Sequence, residues 1–149
     1  MNRGVDMLMK LARLAAHRTT SPAERAEMRG ITGTLNCEFT GPDGGGWHVT
    51  FGGGRVRMAP GLAEEARATV RLAPEIFLRM VAGDLSQSVA RMTGQVRVAG
   101  DGNFGIAFAA LVGGLRNAQT LPGLQGWLAR TLVGRALRKG GHTSRRNTP

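Results

Sequence analysis

The chain contains a single cysteine, Cys37, in 149 residues. No intramolecular disulfide can form, a zinc-finger-type cysteine cluster is excluded, and a reducing cytoplasm is the expected setting. A long hydrophobic run is missing too. The apolar stretch from Val5 to Ala16 is broken by Asp6, Lys10 and Arg13, which rules out a membrane span or a secretory core. The sequence also lacks a Ser-Lys-Leu address and any lipidation motif, so nothing directs it to an organelle. Aromatic residues make up only 5 % of the chain, and no aromatic platform is interleaved with basic residues. Nucleic acid is therefore an unexpected partner, although Arg55, Arg57, Arg71 and Arg97 fall on the outer face of predicted strands.

Acidic residues stop at Asp101. Beyond it come Arg116, Arg130, Arg135, Arg138, Lys139, Arg145 and Arg146, so most of the net charge of +10 lies in the last third of the chain. Such a cluster gains about 1 kcal/mol per Lys or Arg near an anionic membrane surface, and nucleic acid would use it for phosphate contacts. Charge alone leaves peripheral membrane contact, phosphate binding and, for Arg145 and Arg146, a solvated tail all open.

The length fits one domain with its own core, and 23 glycines point to a turn-rich sheet. Residues 5–17 read as a helix, because Asp6, Lys10, Arg13 and His17 share one stripe and the rest is mostly apolar. Ser21-Pro22-Ala23-Glu24 forms a capping box for a short helix that Gly30 ends. From Ile31 the period becomes two. Ile31, Leu35, Cys37 and Phe39 face one way, followed by Trp47, Val49 and Phe51 on a second strand and Val56 and Met58 on a third. Ala68, Val70 and Leu72 mark a fourth strand, and Val96 and Val98 a fifth. Helices are expected over 74–82, 87–92, 103–115 and 122–138. On the last, Leu124, Trp127, Leu128 and Leu132 share a face on which Arg135 intrudes.

Gly100-Asp101-Gly102-Asn103-Phe104-Gly105 matches a dinucleotide-binding pattern, yet no second parallel strand and no acidic residue follow it. A turn is the better reading. His17, His48 and His142 lie far apart, Cys37 sits on an apolar face, and Glu64 and Glu65 have no evident partner. No catalytic, metal or cofactor set stands out. Apolar residues at helical spacing exceed what a five-stranded sheet needs to cover one face, so they fill a dense core or wall a cavity.

The segment from Ala66 to Leu115 resembles the sterol carrier protein 2 family in its marks Phe77, Gly83-Asp84-Leu85, Gly94, Val96-Arg97-Val98 and Gly100-Asp101. Upstream, Gly33, Phe39, Gly41, Gly44 to Trp47 and the Gly52 to Gly54 turn are similar to that family's opening hairpins. The resemblance implies an α/β (α+β) fold: a five-stranded, mainly antiparallel sheet with helices on one face enclosing a hydrophobic tunnel. It implies non-catalytic binding and transfer of a fatty acyl, sterol, isoprenoid or quinone-type lipid. An accessory protein or enzyme acting on a bound hydrophobic intermediate, a cyclase or isomerase, is the alternative. The expected lining is Leu35, Cys37 and Phe39 on the first strand and Val49 and Phe51 on the second. Phe77, Met80 and Val81 follow on one helix, Phe104, Phe108, Leu111 and Leu115 on the next, and Trp127 on the last. Residues 1–30 then form a helical extension, 31–139 the lipid-binding domain, and 140–149 a flexible basic tail.

Overall fold

The computed structural model describes residues 2–19, 30–53, 55–118, 130, 131, 133–135, 137 and 138. The expected helix after Pro22, Trp127 with Leu124, Leu128 and Leu132, and the tail with Arg145 and Arg146 lie outside the described residues. The elements in chain order are α1 (Arg3–Thr19), β1 (Gly33–Phe39), β2 (Gly45–Gly52), β3 (Arg55–Pro60) and β4 (Ala68–Leu72). Then come α2 (Pro74–Ala82), α3 (Gln87–Met92), β5 (Val96–Gly100) and α4 (Phe104–Ala118).

β1, β2 and β3 form an antiparallel meander, as the alternating pattern and the glycine turns require. The chain then crosses back so that β4 lies parallel to β1 on its other side, and β5 pairs antiparallel with β4. The five-stranded sheet therefore runs β3-β2-β1-β4-β5, with one parallel pair among three antiparallel ones. Every strand turns its apolar alternation the same way. Leu35, Cys37, Trp47, Val49, Val70 and Leu72 are all buried on the inner face, where α1, α2 and α4 cover them.

Local chemistry sets the helix ends. Pro74 opens α2, and Gly83, at φ +87°, closes it with its N–H donating to the α2 carbonyls. The Ser86 hydroxyl accepts from Val89 N at 3.2 Å to start α3. Arg116 Nη2 donates to the Met80 carbonyl at 2.7 Å, tying the end of α4 to the end of α2. α1 is core rather than appendage: Val5, Leu8 and Met9 are fully buried, at the three- and four-residue spacing of one helical stripe. Further on, residues 130–138 are helical where described, and Val133 and Leu137, four apart, pack on the core while Arg135 faces solvent.

Candidate functional site

The inner layer between the sheet and α2 and α4 buries most of the residues expected to line a cavity. Leu35, Cys37 and Phe39 from β1, Val49 and Phe51 from β2, and Phe77, Met80 and Val81 from α2 are buried together with Phe104, Phe108 and Leu115 of α4. Leu111 is only partly buried at the margin of the same cluster. The α4 stripe explains this, since Phe104, Phe108, Val112 and Leu115 take the inward positions.

Aromatic rings organise this layer. Phe77 meets Phe39 edge-on with centroids 5.3 Å apart and Phe108 at 6.4 Å, so β1, α2 and α4 are joined by one row of rings. Phe51 and Phe104 make a second edge-on pair at 6.1 Å across β2 and the first turn of α4.

Polarity is nearly absent inside. No charged side chain is buried among the described residues, and Asn36 is the sole buried polar one. Asn36 belongs to the outer face, covered where the β3–β4 connection folds over it: its Nδ2 donates to the Ala63 carbonyl and its Oδ1 accepts from Ala63 N, both at 2.9 Å. Cys37 is buried, and desolvation pushes its thiol from 9.0 up to about 12. It is therefore a neutral thiol at physiological pH and a poor nucleophile. A thiol held protonated in the fold stabilises it fully below the unfolded value near 9, and that stability is lost as pH rises toward 12. Stability should fall by roughly 1.4 kcal/mol per pH unit above about 9. Urea titrations of the wild type and Cys37→Ala at several alkaline pH values should show this slope only with the thiol present.

The outer face gives a different picture. His48 Nδ1 donates to the Gly61 carbonyl at 2.9 Å, and Arg71 pairs with Glu38 at 2.7 Å across the parallel strands. Strand order puts Arg55 and Arg57 on one edge and Arg71 beside Arg97 at the other. No continuous basic stripe crosses the sheet. Among the described residues, no three of His, Cys, Asp and Glu converge as metal ligands would, and no helix is long and apolar enough to cross a membrane.

The glycine-rich segment is a turn, as its context demands. Gly100 has φ +93°, and a Cβ there would overlap the Arg67 carbonyl oxygen. Asp101 N donates to that same carbonyl, while Asp101 Oδ1 accepts from Asn103 N at 3.0 Å. The segment closes the β4–β5 edge and starts α4.

A mixed five-stranded sheet with helices on one face, over an inner layer with no buried charge among the described residues, defines an α+β domain of the sterol-carrier type. The chain belongs to the SCP-2 sterol transfer family, whose model matches residues 11–113. Members of this family bind lipid-like small molecules. Solved structures share the fold. The solution structure of palmitated SCP2L2 from Aedes aegypti is 15 % identical with a TM-score of 0.56, covering 72 % of this chain and 93 % of that one. A UbiJ-SCP2 ubiquinone synthesis protein is 21 % identical with a TM-score of 0.52, covering 73 % and 91 %. The inverting sec-alkylsulfatase Pisa1 from Pseudomonas sp. is 23 % identical with a TM-score of 0.50, covering 62 % of this chain. This chain spans only 14 % of that enzyme's length. No curated protein matches the chain.

Proposed function

We propose that this protein binds and transfers a hydrophobic molecule without transforming it, in a tunnel opened between the inner sheet face and helices α2 and α4. The observation that carries this reading is the absence of buried charge, among the described residues, in a layer of aromatic and aliphatic side chains drawn from two strands and two helices. Such a layer rewards apolar burial at about 25 cal/mol per Å² and, among the described residues, presents no acid, base or activated nucleophile. Fatty acyl chains, sterols, isoprenoids and quinones all fit that chemistry. The likeness to a ubiquinone synthesis protein supports the isoprenoid and quinone end of the range. It also supports the second reading, an accessory role toward a bound biosynthetic intermediate. Titration with a polarity-sensitive long-chain probe should give saturable, one-to-one emission that palmitate, a sterol or a short-chain ubiquinone displaces. A flat titration would overturn the reading.

Delivery requires contact with a membrane, and the basic C-terminus supplies the charge. Removing residues 139–149, with Lys139, Arg145 and Arg146, spares the Val133 and Leu137 packing. Affinity for phosphatidylserine vesicles should then drop by about two orders of magnitude at low salt. The full chain's affinity should fall steeply as salt is added. Equal binding by both forms would exclude this role for the tail.

A further inference from the structure

Nearly every polar side-chain atom that folding buries finds a partner. Asn36 finds two in the Ala63 backbone. Trp47 does not: its side chain is wholly out of solvent, and Nε1 is the one buried side-chain nitrogen or oxygen without a hydrogen bond among the described residues. The residue stands on the inner face of β2, in register between Cys37 of β1 and Pro60 of β3. The side chains of its inner-face neighbours Leu35, Val49 and Met58 carry no oxygen.

An indole N–H only donates, so what this site lacks is an acceptor. We propose that Trp47 Nε1–H anchors the bound molecule by donating to a neutral oxygen at the ligand's buried end: an ester, ketone or quinone carbonyl, or an alcohol. This rests on the carrier reading above. The oxygen is neutral because no charged side chain is buried among the described residues, so a carboxylate at Trp47 would lie without a counter-charge. Cys37, beside Trp47 in the β1–β2 register, keeps its proton and adds a weak second donor rather than an anion. The remainder of the layer, with Phe39, Phe77 and Phe108, takes the hydrocarbon. An ammonium, which has no lone pair to offer, is selected against.

The test compares methyl palmitate, palmitate and heptadecane as competitors of a fluorescent long-chain probe, on the wild type and on Trp47→Phe. The phenyl ring retains most of the packing and removes the donor. Wild type should bind the ester about tenfold more tightly than the alkane, the scale of one hydrogen bond. Trp47→Phe should bind the two alike while holding its alkane affinity. Undiminished ester preference in the variant overturns the anchor and leaves the carrier reading standing, whereas failure of all three competitors on wild type overturns both. Tighter binding of palmitate than of its ester, lost equally in the variant, would overturn the neutral-oxygen assignment. Indole ¹H–¹⁵N spectra of the wild type keep the question open to a result even if Trp47→Phe does not fold. The Trp47 Nε1–H resonance should move downfield with the ester and not with the alkane, and an unmoved resonance contradicts the anchor.

Discussion

Phe77→Ala is expected to cost about 3–5 kcal/mol of folding stability, read as a lower midpoint in urea with an unchanged slope. Phe77 is fully buried and touches Phe39 on β1 and Phe108 on α4, so its ring bridges the sheet and both helices. Truncation removes the transfer energy of the ring and leaves a hole that α2, pinned by Pro74, Gly83 and the Arg116 bond to Met80, is poorly placed to collapse. A loss below about 1 kcal/mol would mean the ring does not pack as described. The variant carries a second expectation. An apolar ligand that occupies the layer should restore part of the loss in proportion to ln(1 + [L]/Kd).

Gly100→Ala should lose about 3–4 kcal/mol, because two independent penalties fall on one atom. The backbone sits at φ +93°, which side-chain-bearing residues avoid, and the added Cβ would run into the Arg67 carbonyl and approach Ala68 Cα at 3.0 Å. Both obstacles are backbone of the neighbouring strand and cannot swing aside. Gly102→Ala is the control. It has open space around it and no positive φ, and should change stability by less than about 0.5 kcal/mol. A phosphate-cradling loop would show the opposite ordering, with binding rather than stability as the casualty. Thermal unfolding of the two variants separates these outcomes.

Much of the architecture was legible because period-two and helical patterns report which side of an element is dry. Leu35, Cys37 and Phe39 alternate inward as their spacing demands, and Gly83 ends α2 where it was expected. The burial of residues expected to line a cavity followed from the same rule, with Leu111 at the margin because α4 turns Val112 inward instead. Periodicity is blind to partners distant in sequence, however. The return of β4 to pair parallel with β1 has no local signature, since it depends on which strand edge is left free. Asn36 looks like a solvent-facing strand residue until the β3–β4 connection folds over it. Trp47 counts simply as apolar in a pattern, and its unpartnered N–H becomes visible only when its surroundings are in place. The long apolar helix α1 likewise gave no hint of its cover. The structure supplies it from α4, α2 and β3.

The central claim is that the apolar layer holds a ligand, and native mass spectrometry of the gently purified protein tests it most directly. The expected spectrum contains, beside the bare 15.8 kDa chain, a species heavier by the mass of one lipid-like molecule. Organic extraction should release that molecule, and the empty protein should take it up again at one-to-one ratio. A protein that emerges bare and stays bare when offered fatty acids, sterols and quinones would contradict the carrier reading outright.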